Sequence, residues 1–125
     1  LGDRGQVKII DSWDETKAVY LYTHWGATYL IEDVHRALSR RARWDDSCYL
    51  ARIIFCEMLH GDLDGETGYG ICTNQHGDIW RLIEVDCKNQ RIRVIDLGEV
   101  ILDCSFAEFV ESSLELLDIA RSLGK

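Results

Sequence analysis

The chain opens on alternating apolar and polar positions. "QVKII" (6–10) puts Val7 and Ile9 on one face, and "AVYLYTH" (18–24) alternates in the same way over a longer run. A period of two predicts strands, and the polar "DSWDETK" (11–17) between them predicts an antiparallel hairpin. In the second strand Val19, Leu21 and Thr23 share one face, and Tyr20, Tyr22 and His24 share the other. Beyond Gly26 the period lengthens. Leu30, Ile31, Val34 and Leu38 recur at helical spacing, which predicts a helix over 29–42 with Thr28 as its N-cap. "RWDDS" (43–47) separates it from a second helix, "CYLARIIFCEML" (48–59), capped by Asp46 or Ser47 and ended by Gly61. Apolar residues surround most of this second helix, so it is expected to be central and largely buried.

The period returns to two after residue 68. Strands are expected near 69–73, 79–86 and 91–96, with a short further strand at 99–103. "SFAE" (105–108) has the form of a capping box, Ser105 bonding the Glu108 amide while Glu108 reaches back. The helix it starts carries Phe106, Phe109, Val110, Leu114 and Leu117 as a stripe and is expected to run to about residue 122. That stripe could be buried on its own sheet or in a homodimer formed through the C-terminal helix. Order and pattern together predict one α+β domain over 1–125: a β-hairpin, two helices, a β-meander and a C-terminal helix. The mostly antiparallel sheet has about five strands, with the helices on one face.

Composition narrows the classes. With 125 residues, 46% hydrophobic and 29% charged, the chain fits one soluble domain with a real core and not a disordered one. The net charge of −8 argues against a general nucleic-acid binder, which needs clustered cations to neutralise phosphates. No apolar run approaches the roughly 20 residues needed to span a bilayer. "LGDRGQVKII" lacks the apolar core of a secretory signal. The five cysteines contain no CxxC pair, which reads as buried, reduced thiols in a cytoplasmic protein.

"RGQVKI", "YLYTHWG", "RALSRRARWDDSCYLARIIFCEML" and "DLDGETGYGI", in this order and spacing, resemble a group of small bacterial proteins met near prophages and other mobile elements. The similarity covers most of residues 4–73 and includes "SFAEFV". The usual form of the group has "THWGG" where Ala27 follows Gly26 here, and "IIFSEMI" where this chain has "IIFCEML" with Cys56. No activity is assigned to that group, so the resemblance implies an accessory role in a mobile element and not a mechanism.

Four constellations could carry chemistry. The first is "HGDLDGETGYG" (60–70), where Asp62, Asp64 and Glu66 alternate as oxygen ligands for Ca²⁺ or Mg²⁺ would. Counted from His60, Gly65 fits an EF-hand loop, but the twelfth position is Ile71 and not the bidentate glutamate. A looser two-carboxylate site and a plain turn-rich connector both remain open. Second, Tyr22, His24 and Trp25 at a strand end could form a ligand or partner surface together with Arg43 and Trp44. Third, Glu57 and His60 share a helix face, as an acid–base pair or within a structural ion pair to the preceding helix. Fourth, the arginines of "RALSRRARW" (36–44) suit either phosphate contact or a helix C-terminus. No GxSxG, P-loop or HExxH motif occurs. Two functional expectations follow. One is a non-enzymatic module binding a protein or small molecule, with no cofactor. The other is a metal-assisted hydrolase or phosphodiesterase built on Asp62, Asp64 and Glu66, with Glu57, His24 or His60 as base.

Overall fold

The computed structural model describes residues 2–112. It is an α+β fold: six strands in one sheet, with the helices against one face. The hairpin strands are β1 (Gly5–Ile10) and β2 (Ala18–Thr23), followed by α1 (Leu30–Leu38), α2 (Ser47–Leu59) and β3 (Tyr69–Cys72). The chain continues through β4 (Arg81–Asp86), β5 (Arg91–Asp96), β6 (Glu99–Ser105) and α3 (Phe106–Glu111). The strand order is β3-β2-β1-β4-β5-β6, the short further strand expected at 99–103 forming a full sixth strand of the sheet. Every pairing is antiparallel except β1 with β4 at the centre. The expected C-terminal helix beyond Ser112, its Leu114 and Leu117, and the homodimer contact assigned to it lie outside the described residues.

Val7, Ile9, Leu21, Ile83, Val85, Ile92 and Val94 point from the sheet into the core. Leu30, Ile31, Val34, Ala37 and Leu38 of α1 close over them. Gly5 permits that approach, since a Cβ there would lie 2.8 Å from the Ala27 methyl and 2.9 Å from Leu30 Cδ1.

Several local details differ from expectation. A 3₁₀ turn at Ala27–Tyr29 precedes α1, so Thr28 is not the N-cap. Instead Asp3 Oδ1 accepts from the Thr28 amide at 3.0 Å, the Thr28 hydroxyl at 2.9 Å and Trp80 Nε1 at 2.9 Å, pinning the N-terminal segment to the turn and to β4. α1 stops at Leu38, not 42. The Trp44 indole N–H donates to the Leu38 carbonyl at 3.0 Å, satisfying one of the orphaned C-terminal acceptors. The chain then turns sharply, with Arg41 and Arg43 both at positive φ. α2 is capped by Asp46, which accepts from the Tyr49 amide at 3.1 Å. It ends with His60 itself in the left-handed region, φ 50°, followed by Gly61 at φ 82°. α2 is also not buried all round: Leu50, Ile54 and Met58 face the core, while Cys48, Tyr49, Arg52 and Cys56 face solvent. The thiols follow suit, with only Cys87 buried and Cys48 and Cys56 exposed. The capping box of α3 forms as the sequence predicts, both hydrogen bonds at 3.0 Å.

To reach the centre of the sheet from the β3 edge, residues 73–80 must cross β2 and β1. They do so on the face away from the helices, fastened by the buried Gln6 side chain. Gln6 Nε2 donates to the Asn74 carbonyl at 3.2 Å, and Gln6 Oε1 accepts from the His76 amide at 2.9 Å. Further along that face Lys8, Glu84, Arg93 and Asp103 form a row of alternating charges across four neighbouring strands.

Candidate functional site

The crossing of 73–80 builds a site at the end of β2. Tyr22 and His24 follow each other on one strand face, and the Tyr22 hydroxyl lies 2.8 Å from His24 Nδ1. The His76 ring, delivered by the crossing segment, stacks against Tyr22 with centroids 4.6 Å apart. Trp25 adds an edge contact to His24 at 6.1 Å and another to Tyr69 at 6.0 Å. Two features hold Trp25 in place. Its indole N–H donates to the Tyr69 hydroxyl at 3.3 Å. Its ring also lies on Gly68, where a Cβ would fall 2.1 Å from Trp25 Cζ2. The backbone closes the unit, His24 N–H donating to the Gly68 carbonyl at 2.8 Å. Five aromatic or imidazole side chains from three separate segments thus touch ring to ring around the end of β2, Tyr22, His24 and His76 on the face away from the helices and Tyr69 on the helix side, with Trp25 between them 53% exposed. Loss of solvation raises the Tyr22 phenol above its ordinary value, and the Asp78 carboxylate adds to this. The Tyr22 hydroxyl can donate to Nδ1 of the His24 tautomer that carries its proton on Nε2, which leaves Nε2 as a donor.

Arg43 and Trp44 do not belong to this surface. The 43–47 turn is docked on the β1–β2 connection, Ser12 Oγ donating to the Asp45 carbonyl at 2.9 Å and accepting from the Ser47 amide at 3.0 Å. Trp25 sits at the other end of β2, roughly 20 Å away along a six-residue strand. Trp44 packs edge-on against Phe106 at 5.6 Å, and Arg43 lies over Tyr49 at 4.9 Å.

Glu57 and His60 pair separately with α1 and not with each other. Glu57 accepts from Arg36 Nε at 3.0 Å and from Arg40. His60 Nε2 lies 3.0 Å from Asp33 Oδ1, which also accepts from Arg36 Nη2 at 2.6 Å. Partial burial would raise the Glu57 carboxyl, but the Arg36 and Arg40 hydrogen bonds outweigh it and hold the group below its ordinary value. Asp33 goes the other way: burial lifts it to about 6, against the lowering effect of His60 and Arg36. The cluster fastens α1 to α2, and its carboxylates are occupied by guanidinium groups.

Asp62, Asp64 and Glu66 all lie exposed on the connection from α2 to β3. The Asp62 carboxylate folds back on Gly65, where a Cβ would lie 2.7 Å from Oδ1. Among the described residues no three His, Cys, Asp or Glu side chains are grouped so as to hold a metal ion. The thiols offer no activated nucleophile in the interior: burial pushes Cys87 up to about 12, and partial burial raises Cys104. No described helix is long and apolar enough to cross a membrane.

Two functional elements escape sequence reasoning. Tyr69 and His76 lie 44 and 52 positions beyond Trp25 and His24 respectively, and only the strand order brings them in. The buried pair Arg81–Asp96, two hydrogen bonds of 2.8 Å, is legible only once β4 and β5 are in register. Comparison with protein-family models, curated proteins and solved structures returned no match.

Proposed function

We propose that the protein is a non-enzymatic binding module, a cytoplasmic accessory of a mobile element, that engages a protein partner through the Tyr22–His24–Trp25–Tyr69–His76 surface. The observation that carries this is the locked, half-exposed Trp25. Its ring is fixed by a hydrogen bond on one side and by the bare Gly68 backbone on the other, so binding would cost it little side-chain entropy. Rigid Trp and Tyr anchors surrounded by polar tips are what binding hot spots are made of. The resemblance of "YLYTHWG" and "DLDGETGYGI" to proteins of mobile elements supports the accessory context, and both motifs contribute to this surface.

The test is affinity capture from a bacterial host, scored for proteins lost with Trp25→Ala and His24→Ala but kept with Trp13→Ala. Trp13 is a more exposed indole, 78% against 53%, on the β1–β2 connection at the far end of β2. A captured protein that rebinds in purified form, at least tenfold weaker to Trp25→Ala, supports the proposal. Substrate turnover that vanishes with His24→Ala overturns it. So does stabilisation by Ca²⁺, Mg²⁺, Mn²⁺ or Zn²⁺ that depends on Asp62 and Asp64, expected to reach about 2.7 kcal/mol at 100 times Kd if the ion is bound.

A further inference from the structure

We infer that the groove between the start of α2 and the β1–β2 connection is a binding site for a small amphipathic cation, an amine or guanidine carried on an apolar body. The groove lies at the end of β2 opposite Trp25 and holds an open cavity of about 520 Å³, within the size range of small-molecule sites. It exists because β3 pairs only with Tyr20–Thr23, so the first residues of β2 have no strand beside them on that side. The floor is apolar: Ile9 and Val19, partners across the hairpin, line it together with Ala51 of α2. Trp13 forms the outer wall. At 78% exposure it is the most exposed large apolar side chain among the described residues. Its backbone is fixed by Asp11 Oδ1, which accepts from the Trp13 amide at 3.0 Å. An indole standing over an apolar floor is a platform for the body of a ligand.

The charge around the groove selects the head group. Residues 11–17 and 43–47, the segments that border it, carry Asp11, Asp14, Glu15, Asp45 and Asp46 against Lys17 and Arg43. Both cations are engaged: Lys17 Nζ lies 3.8 Å from Asp14 Oδ2, and Arg43 is stacked on Tyr49 at 4.9 Å. Asp11 lines the cavity beside the indole, and its Oδ2 has no hydrogen-bond partner among the described residues. The α2 N-terminus would by itself favour an anion, but its amides are already taken. Asp46 accepts from the Tyr49 amide at 3.1 Å, and Ser12 Oγ accepts from the Ser47 amide at 3.0 Å. The negative field reaches inward: after burial, the Asp86, Asp46 and Asp45 carboxylates raise the Cys87 thiol. An ammonium or guanidinium between Asp11 and the Trp13 ring gains an ion pair and a cation–π contact together, while its apolar body covers Val19 and Ala51.

Two exposed thiols on α2 report occupancy in one experiment, since Cys48 lines the cavity and Cys56, further along the same helix, does not. The full chain is alkylated with iodoacetamide at neutral pH, and the two thiols are followed separately by mass spectrometry. The reaction is run with phenethylamine, phenethyl alcohol or phenylacetate, which share one apolar body and carry a cation, no charge and an anion. Molecules this small are held in the millimolar range, so each is taken from about 0.1 to about 10 mM. Phenethylamine is expected to slow the alkylation of Cys48 by about threefold or more and to leave Cys56 unchanged, with the alcohol weaker and phenylacetate without effect. Asp11→Asn keeps the acceptor for the Trp13 amide and removes the charge, and Trp13→Ala removes the wall. Each should retain the wild-type circular dichroism and raise the amine concentration needed by about fivefold or more. Protection by phenylacetate as strong as that by the amine would give the groove to Lys17 and an anion, and it overturns the inference. Equal protection of Cys56, no protection at the highest amine concentration, or an unchanged response in either variant overturns it as well.

Discussion

α1 buries Leu30, Ile31, Val34 and Leu38 and turns Arg36 to solvent, with Ser39 and Arg40 exposed just past its end, whereas α2 buries Leu50, Ile54 and Met58 and turns Cys48, Tyr49 and Cys56 to solvent. The two helices lie side by side on one sheet and use the same kind of inner face. They differ in what they show outside. α1 is finished as a surface helix, its arginines holding Glu57 on the neighbouring helix. α2 is sealed on its inner side only. The contrast teaches that burial in the fold accounts fully for Leu50, Ile54 and Met58 and in part for Ala51, Ile53 and Phe55, and leaves Cys48, Tyr49 and Cys56 in solvent.

The largest expected effect lies beneath the start of α1. Arg81 is fully buried, paired to Asp96 and within 3.4 Å of the Ala27 carbonyl. Asp96→Ala would leave a buried charge without its partner and should cost about 3–5 kcal/mol in chemical denaturation. A cost below about 1 kcal/mol would show that water reaches Arg81 and that this end of α1 is not sealed. Next comes the contrast within α2. Ile54→Ala on the inner face should cost about 2–5 kcal/mol, and Cys56→Ala on the outer face should stay within about 0.5 kcal/mol when measured on the monomer. Equal costs would erase the distinction between the two faces.

The α1–α2 seam sharpens the comparison through pH. Burial lifts the Asp33 carboxyl from 3.8 to about 6, so between these values the folded chain binds the proton more tightly than the unfolded chain. The contribution of Asp33 is then greatest below pH 4 and declines as pH rises to about 6. Urea titrations should show the wild type losing stability relative to Asp33→Asn over that window, and a parallel pair of curves would refute the shift. The smallest effect is at Glu57. Glu57→Gln removes an ion pair whose guanidinium partners are nearly half exposed, so screening limits the loss to roughly 0.5–1 kcal/mol.

Tyr22, His24 and Trp25 could be picked out from the sequence because a row of rings at the end of a β-patterned run, just before a glycine, is a local signal. Arg43 and Trp44 looked like their companions because aromatic and basic residues attract the same functional reading. Their separation by the length of β2 follows from the docking of Ser12 on the 43–47 turn, a contact between polar turns that leaves no periodicity behind. Glu57 between apolar neighbours called for a cation, and an arginine of the preceding helix could be named as its partner. Asp33 could not be anticipated in the same way, since its burial depends on how closely α2 approaches.

By itself the sequence determined the elements: the two-residue period of the strands, the inner face of α1, a cap for α2 at Asp46 or Ser47 and the Ser105–Glu108 box. These rest on contacts within one helical turn or one strand pair, where spacing and chemistry suffice. Only the tertiary structure decided that β1 pairs in parallel with β4, that His76 and Tyr69 join Trp25, and that Arg81 finds Asp96. It also decided that α2 keeps an apolar face in solvent. Each of these depends on which strand lies beside which, and strand order is set by the packing of the whole sheet under its helices. An alternating pattern states which face of a strand is buried, and the same pattern is satisfied by either neighbour and either direction.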